Sequence, residues 1–278
     1  MSAHEFTLIV FLVSIAAGFL GALTGLGGGI VVTPALTLLL GVDLRYAIGA
    51  SLVSVIATSS GAASAYVRDG LSNIRIGMFL EMATTIGAIC GALLASKTPT
   101  SALAFLFGLV LLHSAWQVVQ AKQQVVHGNE DHPIADKLKL NGVYRTPEGS
   151  VEYHVSRAKT GFGLMYVAGV LSGLLGIGSG ALKVIAMDRI MGIPFKVSTA
   201  TSSFMIGVTG VASAAIYLKR GYIHPLIALP VMLGVLGGSM VGARLLPGLP
   251  VKTLRRVFAV AVAAIGIQMI THGLRGKL

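Results

Sequence analysis

Long apolar stretches separated by short polar segments run along the whole chain. A helix needs about 20 apolar residues to cross about 30 Å of hydrocarbon, and most of these stretches reach that length. The predicted spans are Tyr46–Tyr66, Ile76–Ser96, Ser101–Val119, Val197–Leu218, Pro225–Leu246 and Leu254–Ile270. The pattern therefore predicts an all-α integral membrane protein that crosses a lipid bilayer several times.

The chain repeats itself without a gap at an offset of 151 residues. The aligned identities include Gly18 with Gly169, Gly29 with Gly180, Ser51 with Ser202, Gly87 with Gly238, and Pro99 with Pro250. A gapless register over about 80 residues indicates an internal duplication. We predict two homologous four-segment halves, residues 1–120 and 161–278, joined by a polar linker loop at residues 121–160.

The first apolar stretch of each half is too long to be one membrane helix. Phe6–Leu40 as a single helix would be about 50 Å long. Its glycines at positions 25–29 predict a break, and glycines at positions 176–180 predict an equivalent break in the second half. Irregular backbone at membrane depth is tolerated only inside protein or beside a watery cavity. Two equivalent breaks therefore point to a substrate site, although each could also be a plain kink.

The residues of the two breaks could bind an anion. Glycine allows successive N–H groups to turn toward one ligand, and a helix N-terminus adds a partial positive charge. The candidate substrate-binding residues are Gly25, Gly27, Gly28, Gly29, Gly176, Gly178, Ser179 and Gly180, with the hydroxyls of Ser51, Thr201 and Ser202. These hydroxyls could instead bond to helix carbonyls.

Two ionisable residues in the apolar segments are further candidates, because such residues are costly within a membrane. Lys183 lies three residues after Gly180 and could be the counterion of an anion. Alternatively, it could pair with Asp188 or Glu81, or extend to the membrane interface. Glu81 could carry a coupling proton if burial favours its neutral form, or it could be an interfacial residue.

Composition and charge exclude several other classes of protein. Only 11% of residues are charged, compared with about 25% in soluble proteins. The net charge of +11 comes from Lys and Arg between the apolar stretches, and aromatic residues are only 6%. Basic loops beside apolar spans are typical of membrane proteins, so we expect no nucleic-acid partner.

The remaining sequence features predict neither a cofactor nor a leader peptide. Cys90 is the only cysteine, so no intrachain disulfide can form. His127, His132 and His154 lie in the linker without the spacing of metal ligands. No Lys or Arg precedes the first apolar run, so we expect it to belong to the mature fold. Short segments at Val143–Thr146 and Ser150–Val155 predict a β-hairpin in the linker.

Two topologies fit the repeat. If each broken segment crosses the membrane, the halves are parallel; if each is a re-entrant hairpin, the halves are inverted. Leaving out Lys183, the inverted arrangement puts 14 Lys and Arg residues on the linker side and 6 opposite, whereas the parallel one gives 12 and 8. The positive-inside bias favours the more uneven division. We therefore predict inverted repeats, with a cytoplasmic linker and external termini.

The glycine motifs of both halves resemble those of the sulfite exporter TauE/SafE family. In the first half the shared residues are Gly18, Gly21, Gly25, Gly27, Gly28 and Gly29, followed by Pro34, Gly41, Gly49 and Ser51. In the second they run from Gly169 to Gly180 and continue with Gly192, Pro194, Thr201, Ser202, Gly242 and Arg244. The chain departs from this pattern at Ser179, and it has Ile185 where the first repeat has Pro34.

The resemblance implies a cell-membrane transporter of sulfite, organosulfonates or other small anions. The chain has no GxxxxGK[ST] nucleotide-binding loop, so we expect a secondary transporter driven by an ion gradient or by the gradient of its substrate. One alternative is a passive anion channel. A less favoured alternative is an intramembrane hydrolase, because Ser179 and Lys183 would share one face of a helix.

Overall fold

The computed structural model describes residues 3–24, 28–68, 71–120, 135, 137–146, 149–245 and 251–276. The first half contributes five helices: α1 (Ala3–Thr24), α2 (Gly29–Pro34, continued by a π-helical turn at Ala35–Leu39), α3 (Leu44–Arg68), α4 (Ile74–Ala95) and α5 (Thr100–Gln120). The second contributes α6 (Ala158–Leu175), α7 (Gly180–Ile185, continued by a π-helical turn at Ala186–Ile190), α8 (Phe195–Lys219), α9 (Pro225–Leu245) and α10 (Val251–Arg275).

The predicted all-α membrane architecture is confirmed. Among the described residues, α4, α6 and α8 are long and apolar enough to cross a membrane. The outer face of α4 carries a stripe of exposed apolar residues at helical spacing, formed by Met78, Met82, Ile86 and Leu93. Such a stripe is suited to lipid rather than water, because nothing polar interrupts it.

Glycines and one asparagine set the ends of several segments. Gly41 and Gly192 are equivalent residues with φ angles of +65° and +70°, and each follows one of the π-helical turns. Asn73 begins α4, where its side-chain oxygen accepts a hydrogen bond from the Ile76 N–H. The second π-helical turn forms although Ile185 replaces Pro34, so a proline is not required for it.

Close glycine contacts join the two halves in equivalent pairs. A Cβ added to Gly87 on α4 would lie 2.2 Å from the Tyr166 carbonyl oxygen on α6. A Cβ added to Gly238 on α9 would lie 2.0 Å from the Ile15 carbonyl oxygen on α1. Gly238 is 151 positions after Gly87, and Tyr166 is 151 positions after Ile15. The sequence repeat is therefore also a repeat of packing, in which small residues allow two helix backbones to approach.

Equivalent helices of the two halves run antiparallel where they meet. On α3 and α8, the Ser59 hydroxyl donates to the Ser203 carbonyl, whereas Ile56, one turn earlier, lies against Gly210. On α5 and α10, Gly108 lies beside Gly266, whereas Ser101 lies beside Gly273. In both pairs the residue numbers increase in opposite directions, and this supports the predicted inversion of the halves.

The first broken segment reverses its direction. A Cβ on Gly28 would lie 3.6 Å from the Gly18 Cα atom, although ten residues of continuous helix would separate them by about 15 Å. Helix α2 then leads back to the start of α3, where the Val42 N–H bonds to the Leu36 carbonyl. Helix α2 thus lies beside the second part of α1 instead of continuing it.

The loops gather at two opposite ends of the helices. At the linker end, the Asn73 amide donates to the Tyr153 hydroxyl at 2.8 Å, and the Ser156 N–H bonds to the Met191 carbonyl. At the opposite end of α4, the Arg220 guanidinium donates to the Ala92 carbonyl at 3.1 Å. The loop after α3 therefore lies at the linker end, and the loop after α8 lies at the other.

The predicted hairpin in the linker is confirmed with slightly different bounds. Strands β1 (Gly142–Thr146) and β2 (Gly149–Tyr153) pair antiparallel, with Gly142 opposite Tyr153. Burial raises the pKa of the Tyr153 phenol, so its hydroxyl stays neutral where it accepts the Asn73 bond. His154 is exposed, whereas His127 and His132 lie outside the described residues.

Candidate functional site

The second glycine break is a run of left-handed backbone. Gly176, Gly178 and Ser179 have φ angles of +66°, +70° and +46°. The Gly176 N–H bonds to the Ser172 carbonyl and so ends α6, and α7 begins at Gly180. A left-handed conformation costs a residue with a Cβ about 1–2 kcal/mol, so the surrounding structure holds Ser179 in this turn.

The two breaks meet in the interior of the protein. A Cβ on Gly29 would lie 3.2 Å from the Gly176 carbonyl oxygen. The Ser51 hydroxyl lies 3.1 Å from the Gly29 carbonyl oxygen and 2.9 Å from that of Gly176, so one serine contacts both breaks. Gly28 and Gly29 are buried here, whereas Gly25 and Gly27 lie outside the described residues.

The hydrogen bonds of two equivalent serines to the glycine breaks are also repeated. Ser202 is the equivalent of Ser51, and its hydroxyl donates to the Gly180 carbonyl, the equivalent of Gly29, at 3.3 Å. In this conformation both serines donate to backbone carbonyls of the breaks. Their predicted role as donors to a bound anion would require these bonds to exchange.

Thr201 lies at a different junction. Its hydroxyl oxygen accepts a hydrogen bond of 3.0 Å from the Asn73 N–H at the start of α4. The threonine is buried and links α8 to the loop that precedes α4. Its one visible role is thus to hold this end of α4 against α8.

Lys183 is fully buried beside the second break, with an exposed fraction of 0%. Its ammonium nitrogen lies 2.5 Å from the Thr209 hydroxyl oxygen and 3.7 Å from Glu81 Oε2. Of the alternatives open from the sequence, pairing with Glu81 is therefore the one this conformation contains. Asp188 lies instead beside Arg189, and the Lys183 side chain is enclosed by protein.

Glu81 is held by hydroxyl groups on both of its oxygens. Oε1 accepts from Thr209 at 2.6 Å and from Thr85 at 3.0 Å, and Oε2 accepts from Thr84 at 2.9 Å. Only 5% of the Glu81 surface is exposed, so the residue is buried inside the protein. An uncompensated charge at such a depth would cost several kcal/mol, and Lys183 supplies the compensating charge.

The packing of α4 on α8 brings these residues together. A Cβ on Gly77 would lie 3.3 Å from both Thr201 and Phe204, so a glycine at this position lets the helices approach closely. Glu81 follows one turn later and faces Thr209. Thr209 is not among the residues predicted from the sequence, although Thr209 lies two turns after Thr201 on the same face of α8. We call Lys183, Glu81 and Thr209 the buried triad.

Ser179 and Lys183 are not hydrogen-bonded to each other as a serine–lysine dyad would be. The Ser179 hydroxyl is buried without a hydrogen-bond partner among the described residues, and the Lys183 ammonium bonds to Thr209 instead. Among the described residues, no group of three His, Cys, Asp or Glu side chains could hold a metal ion. The site is therefore built from backbone, hydroxyls and one ion pair.

Comparisons with known proteins agree with this architecture. The sequence model of the sulfite exporter TauE/SafE family matches residues 10–269. The probable membrane transporter protein YunE of Bacillus subtilis is 28% identical over 277 residues, covering 96% of this chain and 98% of that protein. The probable membrane transporter protein YdhB of the same species is 26% identical, covering 95% and 98%.

A third relative, the probable membrane transporter protein ORF9 of a Sinorhizobium species, is 24% identical and covers 98% of this chain and 97% of that protein. No solved structure gives a significant match. The family match covers both repeats and both breaks, and so confirms the resemblance seen in the glycine motifs. The chain belongs to the sulfite exporter TauE/SafE family and is a multi-pass membrane transporter.

Proposed function

We propose that this protein is a secondary transporter of a small anion, such as sulfite or an organosulfonate, and that the anion binds between the second break and Lys183. The observation that carries the proposal is the position of Lys183. It is a fully buried cation, and it lies three residues after the break that opens α7. A buried ionisable residue inside a membrane span is a functional candidate by default.

The surroundings of Lys183 suit an oxyanion. An ammonium group has three donors, and the hydrogen bond from Lys183 to a described side chain engages one of them, at Thr209. The buried Ser179 hydroxyl can supply a further donor from the break itself. A sulfite or sulfonate group presents three oxygens and could accept from these groups together.

Burial of the site favours a transporter over a passive channel. Lys183 has no exposed surface, and the glycines of both breaks that lie within the described chain are buried. An anion can reach this lysine only after helices move, as alternating access requires. The predicted inversion of the halves would supply the means, because two halves related by inversion can exchange conformations and open the same site to opposite sides.

The proposal is tested by anion uptake into proteoliposomes. We expect saturable uptake of sulfite or methanesulfonate, with counterflow of labelled anion when the vesicles are preloaded. Lys183→Ala should abolish uptake, and Lys183→Arg should restore part of it. Lys196→Ala is the matched control, since Lys196 is exposed at the start of α8. Uptake at the wild-type rate by a folded Lys183→Ala protein would disprove the proposed site, and flux that neither saturates nor shows counterflow would indicate a channel.

A further inference from the structure

The buried triad contains two charges of opposite sign that share one hydroxyl group. The Thr209 hydroxyl accepts from the Lys183 ammonium at 2.5 Å, and its own proton faces Glu81 Oε1 at 2.6 Å and the Met205 carbonyl oxygen at 2.9 Å. The direct separation of the ammonium nitrogen from Glu81 Oε2 is 3.7 Å, which is too long for a hydrogen bond. Lys183 is therefore neutralised by Glu81 without direct hydrogen bonding between them.

The other ionisable groups on the surrounding helices lie elsewhere. On α4, Arg75 is exposed six residues before Glu81, and Cys90 lies beside Tyr166 of α6. Lys159 is at the start of α6, Lys196 and Lys219 are at the two ends of α8, and Asp188 and Arg189 are in the turn after α7. In the described part of the chain, Lys183 is the one charged partner within 4 Å of Glu81.

Charge balance then restricts how an anion can bind. Without an anion, the buried Lys183 and Glu81 side chains carry a net charge of zero. If a monoanion joined them while Glu81 stayed ionised, a net negative charge would be buried, and this would cost several kcal/mol. If Glu81 takes up one proton as the anion arrives, the net charge remains zero.

We propose that the transported anion and the Glu81 carboxylate compete for Lys183, so that each monoanion is carried together with one proton bound to Glu81. This inference rests on the proposed function and adds the coupling ion. The proton comes from the solution on the side of anion binding, attaches to a carboxylate oxygen of Glu81, and is released with the anion on the other side. No covalent bond of the anion changes, and the cycle moves no net charge.

The hydroxyl contacts of Glu81 suit this exchange. A protonated carboxyl group donates one hydrogen bond and still accepts others, and the hydroxyls of Thr84, Thr85 and Thr209 can each act as donor or acceptor. The neutral acid would therefore keep partners at both oxygens. Lys183, released from Glu81, would then have the bound anion as its charge partner.

The experiment measures proton movement during methanesulfonate uptake into proteoliposomes that contain a pH-sensitive dye. Methanesulfonate is the probe because it is the anion of a strong acid and keeps a single charge near neutral pH, where sulfite exchanges a proton with water. An inward gradient should acidify the lumen by one proton per anion. Uptake should rise toward acid pH by up to about tenfold per unit, the limit for one proton per cycle. A potential imposed with potassium and valinomycin should leave the rate unchanged.

Two variants separate coupling from transport. In Glu81→Gln, we expect net uptake with acidification to be lost, because empty return would leave Lys183 buried without a partner charge. Exchange of labelled for unlabelled anion should persist and lose its dependence on pH. Glu152→Gln is the matched control, since Glu152 is exposed on strand β2, and it should acidify like the wild type.

The outcomes distinguish the two proposals. If neither methanesulfonate nor sulfite enters wild-type vesicles, the proposed function is wrong. If an anion enters but carries current, or enters without proton uptake, the coupling inference alone is overturned. The same holds if Glu81→Gln acidifies the lumen as the wild type does.

Discussion

The junction of α4 with α7 and α8 holds a polar site, whereas the equivalent junction of α9 with α2 and α3 is apolar. The residues equivalent to Lys183, Glu81, Thr84 and Thr209 are Val32, Met232, Val235 and Thr58. Val32 and Val235 belong to a buried apolar cluster that also contains Leu36, Ala47 and Val231. Among the described residues, Thr58 bonds to two carbonyls of its own helix, those of Ser54 and Val55, at 3.0 and 3.1 Å.

The scaffold around these two sites is repeated, although the sites themselves are not. The glycine contacts of Gly87 and Gly238 and the serine contacts of Ser51 and Ser202 are equivalent in both halves. Duplication thus accounts for the helices, breaks and packing. Lys183 and Glu81 meet at one of the two equivalent helix junctions, and the proposed anion site requires this asymmetry.

A topology measurement tests the predicted inversion of the two halves, and it has the largest expected effect. In a Cys90→Ser background, single cysteines at Arg68 and Lys219 occupy the ends of the equivalent helices α3 and α8. Inverted halves should let an impermeant reagent label Lys219→Cys from outside intact cells and leave Arg68→Cys unlabelled until the cells are opened. Labelling of both positions, or of neither, would rule out inversion.

Substitution of two equivalent glycines should destabilise the protein equally if packing is repeated in both halves. We expect Gly87→Leu and Gly238→Leu each to prevent accumulation of folded protein, since even a Cβ would collide with a backbone carbonyl oxygen. Overpacking of this kind costs about 1–3 kcal/mol or more. Gly163→Leu and Gly237→Leu are matched controls, because a Cβ at either position meets nothing within 4 Å. Size-exclusion profiles and melting in detergent would measure the effect, and near-native melting of only one of the two variants would contradict the symmetry.

Removing one charge of the buried triad should be costly, whereas removing both should not. Lys183→Met leaves Glu81 buried without a partner, which is expected to destabilise the protein by about 3–5 kcal/mol. The double variant Lys183→Met with Glu81→Gln should regain most of that stability but no anion uptake. Lys196→Met is the control. A double variant that melts as early as Lys183→Met would show that the ion pair is not the reason for the loss.

Thr209 and Thr58 provide a smaller and closely matched comparison. Thr209→Val removes a hydroxyl that contacts two charged groups, a loss of about 1.5–3 kcal/mol, and should slow anion uptake by about tenfold or more. Thr58→Val removes only contacts within α3 and should change uptake and melting little. Similar effects of the two substitutions on uptake would argue against a role of Thr209 in the site.

Much of this architecture could be predicted from the sequence because it depends on local patterns. The apolar spans, the offset of 151 residues, the second break and the linker hairpin were all predicted from periodicity, repetition and turn residues. Lys183 and Glu81 were singled out because ionisable residues are rare in such spans. Local patterns, however, gave no means of choosing Glu81 over Asp188 as the partner.

The contacts that define the site are long-range, and the sequence carried little signal for them. The predicted contact of Thr201 with the anion stays a prediction, and the bond that Thr201 makes here, to Asn73 at a distance of 128 residues along the chain, has no signal in the sequence. Thr209 is 128 residues from Glu81, whereas its equivalent Thr58 bonds, within the described part of the chain, to carbonyls of its own helix. Only the crossing of α4 on α8, set by Gly77, reveals which hydroxyl lies between the charges.

The proposed anion site at Lys183 is tested most directly by locating a bound anion. Selenite resembles sulfite in shape and charge, and selenium gives anomalous scattering. In crystals of the Cys90→Ser protein grown in the presence of selenite, we predict one anomalous peak between the Lys183 ammonium and the break at Gly178–Gly180. No peak should lie at the equivalent apolar position beside Val32. Peaks of equal height at both positions, or a peak only at a site remote from Lys183, would contradict an anion site at Lys183.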